Sequence, residues 1–185
     1  MRILIAQGDE ASRATLEATL SRWGHEVVVT PDGKAALESL QKDSALTLAI
    51  LDTTLSGMDA LQVCRETRKR TEAAYTYFIL LVGKGREQDI LEGVRAGADD
   101  FLLLPVNTDE LMVRLRVAKR TLDLLDDLQR ASEAIRYQTT HDPLTGLWNR
   151  AATLDSVRRE LARVQREGTP LGVIVAEIDH FKSIN

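Results

Sequence analysis

Short apolar runs alternate with amphipathic stretches along roughly the first 120 residues of the chain. The runs are rich in Ile, Leu and Val and show little polar alternation, which is typical of strands buried on both faces of a sheet. They are Ile3–Ala6, Val27–Thr30, Leu46–Leu51, Tyr77–Val82 and Phe101–Leu104. The stretches between them repeat apolar residues at helical spacing. This alternation predicts an α/β domain with a five-stranded, doubly wound parallel sheet covered by helices on both sides.

Polar residues and glycines mark the expected helix ends. Asp32 and Asp59 stand where helices should begin and can cap backbone N–H groups, whereas Gly24 and Gly97 stand where helices should end. Ligands of a doubly wound sheet bind at the carboxyl ends of its strands. The residues that follow the apolar runs are therefore the first candidates for a functional site.

The third predicted strand ends in Asp52, within AILDTTLSGMDALQVCR, and the fifth runs into DDFLLLPVNTDEL. With GHEVVVTPDGKAALESL and RAGADDF, these motifs lie in order across residues 1–120 and resemble the receiver domain of two-component response regulators. The resemblance implies a flavodoxin-like fold, a cis peptide before Pro105, and phosphoryl transfer to Asp52 from a histidine kinase. The structural alternative for Asp52 is a loop carboxylate that caps a neighbouring amide. A nucleotide-binding domain of this fold is disfavoured because Gln7–Ser12 is no Gly/Ser/Thr-rich phosphate loop.

Other positions of the receiver site depart from the family pattern. Where the family has two acidic residues that hold Mg²⁺, this chain has Gln7 and Gly8, and Asp9 follows as a weak substitute ligand. Val82 replaces the Thr or Ser hydroxyl after the fourth strand, and Leu104 replaces the lysine after the fifth. Mg²⁺ needs hard oxygen ligands, and phosphoryl oxygens that face methyl groups lose hydration without compensation. We therefore expect a degenerate receiver that is retained as a fold and an interaction surface.

A long helical pattern without Gly or Pro follows from Thr108 to Thr140. It carries two apolar seams at heptad spacing. One seam is Leu111, Leu115, Ala118, Leu122 and Leu125, and the other is Leu124, Leu128, Ala131 and Ile135. Such seams favour a coiled coil with a stutter, so we expect this connector to form a homodimer. The alternative is one amphipathic helix that packs on its own domain.

Two motifs towards the C-terminus, HDPLTGLWNR (141–150) and VIVAEIDHFKSIN (173–185), predict the start of a second α/β unit. Asn149 can cap a helix over Arg150–Glu167, and a buried strand is expected at Leu171–Ile178. The predicted buried face of the helix is Leu154, Val157, Leu161 and Val164. Both motifs resemble the opening of the GGDEF domain of diguanylate cyclases, which make cyclic di-GMP from two GTP molecules.

The second resemblance assigns roles to residues near the end of the chain. Glu177 takes the place of the first metal-binding Asp and would hold Mg²⁺, Lys182 would contact a phosphate, and Asn185 would bind guanine. His180 and Phe181 would offer backbone amides to GTP. The Gly-Gly-Asp/Glu-Glu-Phe loop that names the family is not among the 185 residues. We therefore expect an incomplete, catalytically inactive GGDEF domain, with GTP binding and cyclase activity confined to a full-length parent.

Composition narrows the classes of partner. The net charge of −4 gives no reason to expect nucleic acid or an anionic membrane as a partner. A single cysteine, Cys64, excludes an internal disulfide and suits a reducing compartment. The N-terminal apolar run is too short for a signal peptide or a membrane span. These features predict a cytoplasmic protein.

Together the patterns predict a receiver over residues 1–120, a helical connector over 108–140 and an incomplete GGDEF domain over 141–185. The leading hypothesis is a receiver–GGDEF response regulator that controls cyclic di-GMP synthesis through the geometry of a dimer. A histidine kinase or another signalling protein would then bind the receiver. The alternative is a stand-alone pseudoreceiver adaptor that acts through protein contacts and helix-mediated dimerisation.

Overall fold

The structure, a computed structural model, describes residues 1–70, 74–86 and 88–176. Within these residues, five strands form one parallel sheet in the order β2-β1-β3-β4-β5. They are β1 (Arg2–Ala6), β2 (Glu26–Thr30), β3 (Leu46–Asp52), β4 (Tyr77–Val82) and β5 (Asp100–Leu103). The predicted doubly wound parallel sheet is therefore confirmed, with each strand within one residue of its expected bounds at either end.

Six helices accompany the sheet in the described part of the chain. They are α1 (Glu10–Arg22), α2 (Gly33–Lys42), α3 (Ala60–Arg68), α4 (Gln88–Ala96), α5 (Thr108–Thr140) and α6 (Arg150–Glu167). Asp32 and Asp59 cap α2 and α3 by accepting hydrogen bonds from backbone N–H groups three residues ahead, as predicted. Gly24 and Gly97 follow α1 and α4 with φ of 81° and 94°, a conformation that favours glycine.

Alternate side chains of each central strand enter different cores, because successive side chains of a strand point to opposite faces. On β3, Ala49 and Leu51 join the core beneath α2, α3 and α4. Leu48 and Ile50 join the core beneath α1 and α5. This double burial accounts for the absence of polar alternation in the strand sequences.

The α5 helix is continuous over 33 residues, but the first three residues of its first predicted seam face the core of the receiver. Leu111, Leu115 and Ala118 are buried in the core beneath α1 and α5, so the coiled-coil prediction is wrong for these residues. The physical reason is that a heptad seam and the buried face of a domain helix have nearly the same period. Leu122 is partly buried against the same core.

Residues 127–185 form a second compact unit, separate from Met1–Asp126, and 127–176 of it are described. Its helix α6 has the predicted bounds, and the side chain of Asn149 caps it by accepting a hydrogen bond from the Ala152 N–H. Leu154 and Leu161 are exposed, contrary to the prediction, and residues 171–176 are exposed and form no strand. The reason is that no sheet in the described part of this unit offers a face for the helix or a neighbour for a strand.

Within the described residues, no helix is both long enough and apolar enough to span a membrane.

Candidate functional site

The parallel register brings the ends of the central strands to one edge of the sheet. Asp52, the last residue of β3, pairs with Leu81 of β4. Val82, the last residue of β4, pairs with Leu103 of β5. Because Ala6 of β1 pairs with Leu51, the residues after β1 reach the same edge. The strand ends that were predicted to carry the site are therefore neighbours.

The Asp52 carboxylate lies inside the protein, with 5% of the residue exposed. Its Oδ1 accepts two hydrogen bonds from Thr54, one from the backbone N–H at 2.8 Å and one from the hydroxyl at 2.7 Å. In the part of the chain that the structure describes, Asp52 forms no ion pair. The side chain thus caps the loop that follows β3, and Thr54 was not identified from the sequence.

In the segment after β1, Gln7 has an uncharged side chain at a position where the receiver family has an acidic residue. Gln7 is 2% exposed, and its Oε1 has no hydrogen-bond partner among the described residues. The backbone at Gly8 is open, since a Cβ built there would have no atom within 4 Å. The guanidinium of Arg13 donates to the carbonyl oxygens of Gln7 and Gly8, at 2.8 Å and 3.4 Å. A cation therefore contacts this segment from α1, a contact that the sequence pattern gave no means to predict.

Asp9 serves as the N-cap of α1. Its Oδ2 accepts a hydrogen bond from the Ser12 N–H at 2.8 Å. The bonds from Ser12, together with the charge of Arg13, lower the pKa of this exposed carboxyl group below its ordinary value. As a cap it stabilises the start of α1, and it would lose that hydrogen bond if it turned towards a metal ion.

The two remaining positions are apolar and belong to the cores. Val82 is fully buried beneath α2, α3 and α4. Leu104 packs against the opposite core, beneath α1 and α5, and its N–H donates to the Val82 carbonyl at 2.8 Å. The Leu104–Pro105 peptide bond is cis, as the family resemblance predicted. Neither side chain can donate a hydrogen bond to a phosphoryl group.

The remaining predicted site residues are those near the C-terminal end of the sequence. Glu177, His180, Phe181, Lys182 and Asn185, the predicted metal-binding and GTP-binding residues, lie outside the described residues. Among the described residues there is no group of three or more His, Cys, Asp or Glu side chains that could hold a metal ion.

Comparison with known sequence families gives two matches on this chain. The model of the response regulator receiver domain matches residues 3–116, which is more than half of the chain. The model of the diguanylate cyclase GGDEF domain matches residues 139–185.

Individual relatives agree with the first match. The chain is 35% identical over 122 residues to the probable transcriptional regulator ycf27 of Galdieria sulphuraria, covering 66% of this chain and 46% of that protein. It therefore spans less than half the length of that relative. The receiver domain of the Francisella response regulator 1452 superposes with a TM-score of 0.58 at 26% identity, covering 65% of this chain and 98% of that one.

A solved structure described as a probable two-component system response regulator/GGDEF domain protein superposes with a TM-score of 0.62. The identity is 22%, and the match covers 66% of this chain and 50% of that one. At this identity the likeness shows the shared fold of the receiver.

Proposed function

We propose that this chain, which belongs to the response regulator receiver family, is the regulatory part of a signalling protein that controls cyclic di-GMP synthesis. The chain has receiver–GGDEF architecture, with a receiver followed by part of a GGDEF domain. In our proposal the receiver acts as an interaction surface without stable phosphorylation, and the connector helix holds two copies together. The cyclase reaction belongs to a longer protein that also contains the Gly-Gly-Asp/Glu-Glu-Phe loop.

The environment of Asp52 is the observation that carries the proposal. Phosphoryl transfer depends on positive charge that neutralises the phosphoryl oxygens. At this edge the structure offers the uncharged Gln7 and the two apolar residues Val82 and Leu104. The nearby Arg13 guanidinium is already engaged by two backbone carbonyl oxygens. The carboxylate itself already accepts two hydrogen bonds from Thr54. A phosphoryl group on Asp52 would have to displace those bonds and would gain little in return.

The residues around Asp52 also fit Mg²⁺ poorly. This ion prefers an octahedral set of hard oxygen ligands, several of them charged. Gln7 supplies a neutral amide oxygen, Gly8 supplies no side chain, and Asp9 caps α1. The Arg13 guanidinium contacts the same backbone segment and would repel a divalent cation. Receivers and GGDEF domains ordinarily use Mg²⁺, so in our proposal the ion is needed only by the GGDEF domain of the longer protein.

Incubation with acetyl phosphate and MgCl₂, followed by intact-mass measurement, tests this proposal. We expect no stoichiometric addition of a phosphoryl group to the unmodified chain. A variant that combines Gln7→Glu, Gly8→Asp, Val82→Thr and Leu104→Lys restores the family pattern, and the open space at Gly8 can hold the new side chain. We expect this variant to become phosphorylated, which shows that the assay can detect the modification. Stoichiometric modification of the unmodified chain that disappears in Asp52→Asn would contradict the proposal.

We further propose that these 185 residues do not make cyclic di-GMP. The GGDEF loop is missing from the sequence, and residues 171–176 form no strand that could present a metal ligand. Calorimetric titration with GTP and MgCl₂ should show negligible heat, and chromatography should detect no cyclic di-GMP. Micromolar GTP binding or any product would show that the missing segment is dispensable, without bearing on the phosphorylation result.

Exposed apolar side chains on the receiver are also consistent with a second candidate, the stand-alone adaptor. Leu91 and Val94 on α4 and Val113 and Val117 on α5 are all exposed, and side chains of this kind are common in protein interfaces. Both candidates use the receiver as an interaction surface. They differ in what the receiver controls, which is cyclic di-GMP synthesis in the first candidate and the binding of a partner protein in the second. A longer protein that contains this sequence and forms cyclic di-GMP would support the regulator. A receiver partner that binds with equal affinity when residues 141–185 are removed would support the adaptor.

A further inference from the structure

A pocket lies at the end of the receiver opposite Asp52, where the strands begin. Its volume is about 240 Å³. The lining residues come from the starts of β1 and β2, the end of α1 and the first half of α5: Met1, Trp23, His25, Met112, Leu115, Arg116 and Lys119. None of these residues takes part in the site at the carboxyl edge.

The walls of the pocket suit an apolar body of modest size. Met1, Trp23, Met112 and Leu115 supply thioether, indole and alkyl surface. Pockets for drug-sized ligands usually have about 300 to 1,000 Å³, whereas a dry cavity of about 150 Å³ binds benzene. A cavity between these sizes fits a short alkyl chain or a single aromatic ring, and it is too small for a nucleotide.

The charged side chains of the lining are both cations, and no carboxylate of the described residues lines the pocket. Lys119 pairs with Asp123 at the exposed surface, with Nζ 2.7 Å from Oδ2. Arg116 has no carboxylate partner among the described residues, and its Nη2 lies 3.7 Å from the sulfur of Met112. A guanidinium beside an apolar cavity is well placed to bind an anionic group, because it can donate two parallel hydrogen bonds to a carboxylate.

His25 adds a further polar group to the same lining. Its Nδ1 is shielded from solvent and has no hydrogen-bond partner within the described part of the chain. Burial, together with the positive charge of the N-terminus, lowers the pKa of His25 and so favours the neutral ring. A neutral imidazole can offer one N–H donor.

We infer that this pocket is a binding site for a small amphipathic anion, namely a monocarboxylate with a short alkyl or aromatic body. The body packs against Trp23 and Leu115, and the carboxylate pairs with Arg116. Four of the seven lining residues belong to α5, the helix that continues into the connector. Occupation of the pocket therefore contacts the output helix of the receiver directly, and it requires no phosphorylation of Asp52.

Octanoate is a suitable probe because it combines a carboxylate with an apolar chain. The chain has two tryptophans, so a Trp148→Phe background leaves Trp23, in the pocket wall, as the only indole reporter. We expect a saturable change in its fluorescence in about the millimolar range, as the small number of ligand atoms dictates. The neutral analogue 1-octanol should bind at least about fivefold more weakly, because it cannot form the charge-assisted hydrogen bonds.

Three variants in this background test the assignment of residues. Arg116→Gln should weaken octanoate binding by about fivefold or more, whereas Arg136→Gln, the same change at an exposed arginine further along α5, should have no effect. Met112→Trp should abolish binding by filling the pocket. Because this variant adds a second indole, its binding is followed by saturation-transfer NMR of octanoate instead of fluorescence, and circular dichroism should verify that the variant is folded.

Three results would overturn the inference. The first is the absence of a saturable response up to about ten times the expected concentration. The second is equal binding of octanoate and 1-octanol that Arg116→Gln leaves unchanged, which would show a pocket without an anion subsite. The third is a chain dimer that Met112→Trp dissociates, since a second copy rather than a ligand would then cover the pocket.

Discussion

Arg68 at the end of α3 forms an ion pair with Asp99 before β5, with Nη2 2.8 Å from Oδ2 and both side chains mostly buried. The guanidinium also donates to the carbonyl oxygens of Thr76 and Gly97, at 2.8 Å and 3.0 Å. Asp99 in turn accepts a hydrogen bond from the Phe78 N–H at 2.7 Å. This pair therefore ties α3 to the segments that lead into β4 and β5.

Loss of this pair should destabilise the receiver. We expect Arg68→Met to lower the free energy of unfolding by about 2 kcal/mol, because the mostly shielded Asp99 carboxylate would lose its cation and two carbonyl groups would lose their donors. Arg65→Met, at an exposed arginine of the same helix, serves as the control and should change stability by less than about 0.5 kcal/mol. Urea denaturation followed by circular dichroism measures both values. Equal losses in the two variants would contradict the role of the ion pair.

A close backbone contact at the start of α2 leads to a second prediction. A Cβ built at Gly33 would lie 2.0 Å from the carbonyl oxygen of Met58, a backbone atom that cannot move aside cheaply. We expect Gly33→Ala to lower the free energy of unfolding by about 2 kcal/mol, even though alanine favours the helix itself. Gly8→Ala is the matched control, because a Cβ there meets no atom within 4 Å. Thermal melting of both variants should show a lower Tm for Gly33→Ala alone. An unchanged Tm for Gly33→Ala would mean that α2 can shift away from Met58 at little cost in stability.

The single thiol of the chain should be unreactive while the receiver is folded. Cys64 is fully buried on α3, and burial raises its pKa to about 12. At pH 8 the reactive thiolate is therefore scarcer than in the unfolded chain by a factor of about 1,000. We expect iodoacetamide to modify the native protein at least about 100-fold more slowly than the urea-unfolded protein, as followed by intact mass.

The same thiol should make the stability of the folded receiver depend on pH. Because the folded pKa is raised from 9.0 to about 12, ionisation at high pH favours the unfolded state, whereas the neutral thiol stabilises the folded state. Its contribution is fully present below pH 9 and is lost as the pH rises through 12. Cys64→Ala should remove this part of the loss of stability at alkaline pH. In the alkylation experiment, rapid modification of the native protein at pH 8 would show instead that α3 opens readily.

Local patterns explain why most elements could be predicted from the sequence. The caps at Asp32, Asp59 and Asn149 and the bounds of α6 depend on a few adjacent residues, and each was correctly assigned. The strands were recognisable because burial on both faces leaves a continuous apolar run. Asp52 could be placed at the carboxyl edge for the same reason, since it directly follows such a run.

Features that depend on distant contacts could not be predicted. Arg68 and Asp99 are 31 residues apart, and nothing in the local pattern marks them as a pair. The contact of Arg13 with the segment after β1 depends on how α1 packs against the sheet. The heptad seam at Leu111 and Leu115 was wrongly assigned to a partner helix. The spacing of a coiled-coil seam is nearly the same as that of a helix buried on its own domain, so spacing could not separate the two. Spacing alone gives the face of a helix, and only packing shows what covers that face.

The second seam of α5 leads to the last prediction, which concerns the dimer. Leu124, Leu128 and Ile135 are 59%, 67% and 61% exposed in the single chain. Their 4-residue and 3-residue steps, completed by Ala131, place them on one stripe of the helix. We propose that this stripe packs against its counterpart in a second copy, since large apolar side chains at heptad spacing are stabilised by such burial.

Substitutions within the stripe should separate the two copies without unfolding the receiver. We expect Leu128→Glu combined with Ile135→Glu to give a monomer in light scattering, whereas the unmodified chain should have the mass of a dimer. The control combines Gln129→Glu with Gln138→Glu, which adds the same charge at exposed polar positions of α5 and should remain dimeric. Leu122 is unsuitable for this test because it is partly buried in the core of the receiver, so that its replacement would also affect folding. A monomeric mass for the unmodified chain at micromolar concentration would contradict the proposed dimer. In that case a second copy of the chain does not cover the exposed stripe.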